Sequence, residues 1–119
     1  KAAHERGKPA LLHSCGAYGA ILCDITDDMR FDGRHSYEDK IVPVETAYPL
    51  LHDRIAVLGG VDVDFLARKN PEEVYARCRN LLALSKQEGG YALGSGNSVP
   101  DYVPNENFIA MLHAANEGY

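Results

Sequence analysis

Three short apolar runs end in polar or glycine-rich clusters, and helical patterns lie between them. Ala10-Leu11-Leu12 runs into His13-Ser14-Cys15-Gly16, Ile55-Ala56-Val57-Leu58 into Gly59-Gly60-Val61-Asp62, and Tyr91-Ala92-Leu93 into Gly94-Ser95-Gly96-Asn97-Ser98. Runs this short, bounded by turn residues, predict buried strands at Pro9–Leu12, Arg54–Leu58 and Tyr91–Leu93. Residues 30–32 give a weaker fourth strand. Tyr18–Asp28 predicts a helix with Ala20, Ile21, Ile25 and Met29 inward, and Val42–Leu51 predicts another, entered through a cap at Ser36–Asp39. Asn70-Pro71-Glu72-Glu73 marks a helix start: Asn caps, Pro takes the first helical position and the acids meet the positive dipole end. Val74, Cys78, Leu81, Leu82 and Ser85 then recur on one helical face. Pro104 opens a last helix with Phe108, Met111, Leu112 and Ala115 inward.

Strands alternating with helices predict a parallel α/β sheet with right-handed crossovers. In such folds the site lies beyond the carboxyl ends of the strands. The 119 residues form a single domain, 1–119. A complete eight-stranded barrel needs about 250 residues, so four units predict half of one. The opening Lys1–Gly7 reads as the tail of a helix, which predicts further chain upstream.

Charge narrows the function. Twelve Lys+Arg against seventeen Asp+Glu give a net −5, with the basic residues scattered. This argues against nucleic acid and membrane surfaces as partners. No apolar stretch approaches a membrane span. Cys15, Cys23 and Cys78 form no paired framework, which fits a reducing cytoplasm. Cys23 and Cys78 are expected in the core.

On a strand, His13 and Cys15 share a face. An imidazole beside a thiol suits zinc, but two ligands do not complete a site, and two small, half-buried groups at a strand end are the simpler reading. Asp62 and Asp64 can bind substrate, act as acid or base, or cap the next helix. Asp32, Arg34 and His35 are placed as a polar rim after the weak strand. The glycines around Ser95 permit a tight turn or a backbone approach to an anion.

Taken in order, His13-Ser14-Cys15-Gly16, Leu58-Gly59-Gly60-Val61-Asp62 and Leu93-Gly94-Ser95-Gly96-Asn97 resemble the uroporphyrinogen decarboxylase superfamily. Asp32–Asp39 and Val99–Phe108 resemble a less characterised branch of it. The likeness runs from about Pro9 to Met111. It implies the carboxyl-terminal half of a (β/α)8 barrel and one of two activities. The first is cofactor-free decarboxylation of the acetate side chains of a tetrapyrrole. The second is methyl transfer between a corrinoid protein and a thiol, with zinc activating the thiol. A non-catalytic assembly role is the third reading.

The resemblance places Asp62 and Ser95 at the chemistry and His13, Asp32, His35, Gly59, Gly60 and Asn97 at the substrate. It makes His13 and Cys15 zinc ligands if the protein is a methyltransferase. Ser95 stands where the methyltransferases carry a cysteine and the decarboxylases a histidine. A hydroxyl is a poor zinc ligand, so weak zinc binding is expected. A sheet with open edges also predicts a homo-oligomer, or pairing with missing strands.

Overall fold

The computed structural model describes residues 1–117. Four short strands, β1 (Leu11–His13), β2 (Gly33–His35), β3 (Ala56–Leu58) and β4 (Tyr91–Ala92), lie side by side in chain order. Every neighbouring pair is parallel, so all four carboxyl ends share one rim. The helices α1 (Val44–Leu51), α2 (Val63–Arg68), α3 (Pro71–Ser85) and α4 (Asn105–Asn116) supply the crossovers and the cover.

Alternation along the strands sorts the two faces. Leu12, Val57, Tyr91 and Leu93 pack into a core with Val44, Ala47 and Tyr48 of α1 and Val74, Cys78 and Leu81 of α3. On the opposite face Leu11, Ala56 and Leu58 close around Gly33, where a Cβ would meet the Leu11 Cδ2 at 2.7 Å. Among the described residues no helix covers that face: Leu11 is 59% exposed. A parallel sheet is ordinarily buried on both faces; among the described residues this one carries its helices on one.

The strongest predicted feature is α3. Asn70 accepts from the Glu73 N–H at 2.9 Å and Glu73 accepts from the Asn70 N–H at 3.2 Å, a reciprocal capping box. Val74, Cys78, Leu81 and Ser85 are buried on its inner face, and burial pushes the Cys78 thiol up to about 11. From α3, Arg77 forms paired bonds to Asp39 at 2.7 and 2.8 Å and to Glu45 at 2.6 and 2.9 Å. Planar forks of this kind give direction as well as attraction. They tie the loop after β2 and the start of α1 to α3.

Several elements differ from the pattern's prediction. The expected strand at 30–32 forms three residues later, as β2. This puts Arg34 and His35 inside the strand rather than beyond it. The predicted helix over Tyr18–Asp28 is a 3₁₀ turn at Gly19–Ile21 followed by a π turn at Asp24–Asp28. Within it the Thr26 hydroxyl bonds back to the Leu22 carbonyl at 3.1 Å, competing with regular helical bonding. Of the four positions expected inward only Ile25 is buried, with Leu22 packed beside it; Ala20, Ile21 and Met29 are exposed, as is Cys23. Ser36–Asp39 is irregular and caps nothing, because Pro43 enters α1 directly.

In α4 the buried face is Asn107, Met111 and Ala114, with Phe108 and Leu112 left exposed. Asn107 sets that rotation. Its Nδ2 donates to the Leu66 and Lys69 carbonyls at 2.7 and 2.6 Å, satisfying the end of α2. Among the described residues no helix is long and apolar enough to cross a membrane.

Candidate functional site

At the carboxyl rim, β1 and β2 stand in register with His13 opposite His35. The imidazoles stack with centroids 4.8 Å apart, and their Nδ1 atoms lie 2.7 Å from each other. The outer nitrogen of each ring has a partner. His13 Nε2 lies 3.9 Å from the Cys15 Sγ. His35 Nε2 lies 2.9 Å from the main-chain oxygen of Ser95. The sulfur also receives the Asn97 Nδ2 at 3.4 Å and the Ser36 hydroxyl at 3.8 Å. Groups from β1, β2 and the loop after β4 thus meet at one point. The peptide between His35 and Ser36 is cis.

Beneath this cluster Arg34 projects from β2 toward the helices and is fully buried. Its Nη1 donates to the Ser36 carbonyl at 2.6 Å and its Nη2 to the Ser14 carbonyl at 3.0 Å. Those carbonyls each follow one histidine of the pair. The guanidinium lies 3.7 Å from the Tyr18 ring centroid and 5.0 Å from that of Tyr37. Among the described residues no carboxylate pairs with it; the two π faces and two carbonyls compensate its charge.

Burial raises the Tyr18 phenol and pushes Tyr37 up to about 12, against the pull of Arg34. Among the described residues the buried Tyr37 hydroxyl has no hydrogen-bond partner. A phenol raised on folding stabilises the fold fully below the ordinary value of about 10, and that contribution is lost as pH rises toward the folded value. Tyr37→Phe is therefore expected to remove part of the alkaline destabilisation. Urea unfolding between about pH 10 and 12 should show the parent losing about 2–3 kcal/mol more than the variant.

Glycines let the rings sit where they do. Gly59 ends β3 at φ +76°, and a Cβ there would lie 2.5 Å from the Ser95 oxygen and 2.7 Å from the His35 ring. Gly96 passes so close to the Tyr37 carbonyl that a Cβ would meet it at 2.6 Å.

Of the residues predicted from sequence, His13, Cys15, His35, Gly59 and Asn97 converge, joined by the Ser95 main chain. The Ser95 hydroxyl itself donates to the Asn97 carbonyl at 2.7 Å. Asp62 lies at the same rim but is engaged as a cap. Its carboxylate accepts from the Asp64 N–H at 2.8 Å and the Asp39 N–H at 2.9 Å. Gly60 faces Val44, whose Cβ lies 2.5 Å from the position a Cβ would take.

Asp32 is at the other end of β2, bonded to the Ala10 N–H and to His4, both at 2.7 Å. These bonds hold its carboxyl below the usual range, the Ala10 bond contributing most. It is not part of the rim. The sequence pattern reads Ser36 as part of a helix cap and Arg34 as part of a polar rim, not as a sulfur neighbour and a buried brace. Placing β2 three residues later would have exposed both, since Arg34 then alternates to the buried face.

Zinc is the metal the resemblance implies, and it favours thiolate and imidazole ligands in fours or threes. His13 and Cys15 are two such donors on one face. Among the described residues no three His, Cys, Asp or Glu side chains are set to hold a metal ion: His35 meets His13 through its Nδ1 and turns its Nε2 to the Ser95 oxygen. At the third position the Ser95 hydroxyl is bonded within its own loop, and Asn97 presents an N–H to the sulfur rather than a lone pair. The described residues do not form a zinc centre, and no step is assigned to zinc.

The sequence profile of uroporphyrinogen decarboxylase matches residues 1–118. A methylcobamide:CoM methyltransferase of Methanosarcina barkeri is 31% identical over 111 residues, covering 92% of this chain and 31% of its own length. A methylated-thiol–coenzyme M methyltransferase of Methanosarcina mazei is 28% identical over 116 residues, covering 97% of this chain and 29% of its own. Among solved structures, a methyltransferase from Methanosarcina mazei superposes with a TM-score of 0.74 at 26% identity, covering 97% of this chain and 33% of that one. The chain spans about a third of the length of these relatives. A profile matched over nearly every residue, and four parallel βα units that fit a solved methyltransferase, lead to one assignment: the chain belongs to the uroporphyrinogen decarboxylase family.

Proposed function

We propose that the protein containing this segment transfers a methyl group from a methylated cobamide to a small thiol. The carrying observation is the convergence of His13, His35 and Cys15 at the carboxyl rim. The relatives' names give it direction: both curated relatives are methyltransferases acting on coenzyme M chemistry. This moves the reading from decarboxylation, which the sequence put first, to its methyltransferase alternative.

In the transfer a carbon–sulfur bond forms as the methyl–cobalt bond breaks, and the electron pair stays on cobalt. The acceptor's thiol proton must leave, and an imidazole nitrogen at the rim is the group suited to take it. A corrinoid carrier is the implied partner. The uncovered sheet face, with Leu11 and Leu58 outward, is where the remaining strands of a barrel would pack.

The test is conversion of methylcobalamin and a small thiol to the thioether, followed by loss of the methyl–cobalt absorbance. Turnover is expected from a polypeptide in which the other strands complete the barrel, and none from residues 1–119 alone, because a barrel site draws on many strand ends. Decarboxylation of uroporphyrinogen without thioether formation would reverse the assignment. Zinc measured after dialysis is expected to be well below one equivalent in the segment alone, since two donors hold the ion weakly.

A further inference from the structure

We propose that His35 is a positioning residue that holds His13 in the tautomer protonated at Nδ1, so that His13 turns a bare Nε2 toward the Cys15 thiol. The inference rests on reading the His13–Cys15 pair as the site, and it concerns the direction of three hydrogen bonds.

The Ser95 carbonyl oxygen only accepts, so the His35 Nε2, 2.9 Å away, carries the hydrogen. A neutral imidazole carries one hydrogen, which leaves the His35 Nδ1 as a lone pair. The contact between the two Nδ1 atoms, at 2.7 Å, then needs its hydrogen from His13. With its hydrogen on Nδ1, His13 has a lone pair on Nε2, the atom that faces the sulfur at 3.9 Å.

The other polar neighbours of the sulfur agree. Asn97 Nδ2 and the Ser36 hydroxyl both donate toward it, so Nε2 is the acceptor left for the thiol hydrogen. The order is thiol, His13, His35, carbonyl: a base oriented by a second group, which is itself oriented by the backbone. No carboxylate serves as the orienting group here. The Ser95 oxygen takes that place, and it cannot accept a proton outright as a carboxylate can.

Two-bond ¹H–¹⁵N correlation spectra of the imidazoles, recorded on the full chain in alkaline buffer where imidazoles are neutral, test the assignment. The parent is expected to show His13 protonated at Nδ1 and His35 at Nε2. His35→Leu should move the His13 hydrogen to Nε2. His35→Asn, whose side-chain oxygen can accept from the His13 Nδ1, should restore the parent pattern.

A parent spectrum with His13 protonated at Nε2 overturns the proposal. So does a His13 hydrogen that stays on Nδ1 in His35→Leu. If His35→Leu fails to fold, the parent spectrum alone decides. Loss of the methyl-transfer reading would leave these spectra as they are, so the two can fail separately.

Discussion

Gly59→Ala is expected to destabilise the fold by about 3 kcal/mol or more and to break the bond between His35 and Ser95. Two costs add. The residue sits at φ +76°, a left-handed conformation that an L side chain adopts only with strain of about 1–2 kcal/mol. The new methyl would also lie 2.5 Å from the Ser95 oxygen and 2.7 Å from the His35 ring. The oxygen belongs to the backbone and cannot swing aside, so either β4's loop or the His35 ring must move.

Gly16→Ala is the control. Its φ is +91°, but no atom lies within 4 Å of the added carbon, so only the backbone strain remains. Urea unfolding of the two variants should therefore separate by about 1–2 kcal/mol. Equal losses would mean that His35 and the Ser95 carbonyl do not press against β3.

A second large effect is expected at Arg34. Arg34→Ala removes two charge-assisted bonds, leaves the Ser36 carbonyl without its donor and opens a void between Tyr18 and Tyr37. Each of the first two terms is worth about 1–3 kcal/mol, and the void adds to them. The sum is about 3–5 kcal/mol, a large part of the stability of a domain this size.

Arg34→Met separates charge from volume. It refills the space and removes the desolvation cost of burying a cation, so its loss should be nearer 1–2 kcal/mol. Thermal unfolding of both variants measures the difference. An Arg34→Ala variant as stable as the parent would show that the guanidinium does not brace the two strand ends.

What the sequence revealed depended on how locally each feature is encoded. The start of α3 is written in four consecutive residues, and its box forms as read. In α4 Met111 is buried as its periodicity predicts, but Asn107 and Ala114 take the places expected of Phe108 and Ala115, because the deciding contact is Asn107 reaching two carbonyls of α2. No local pattern records that partner. The weak strand was displaced for a similar reason. Gly33 and Arg34 lack strand character, and β2 exists because its neighbours β1 and β3 pair with it.

At the site, residue types were legible and directions were not. His13, Cys15, His35, Gly59 and Asn97 were singled out from their clusters. That His13 and His35 would meet follows from strand register, which the misplaced β2 hid. Asp32 was grouped with His35 on proximity in the chain, yet the strand between them carries the two to opposite ends of the sheet.

The His35 ring is anchored on a main-chain oxygen, and this affects how the site tolerates change. Every amino acid supplies that oxygen, so the side chain at position 95 can vary widely while the anchor stays in place. Ser95→Ala or Ser95→Thr should leave the imidazole pair undisturbed, whereas lengthening the loop between Gly94 and Gly96 by one residue should uncouple it. The feature is inherited through loop length and backbone path. Comparison of side chains alone would pass over it, and an engineer seeking a new ligand at position 95 could introduce one without dismantling the pair.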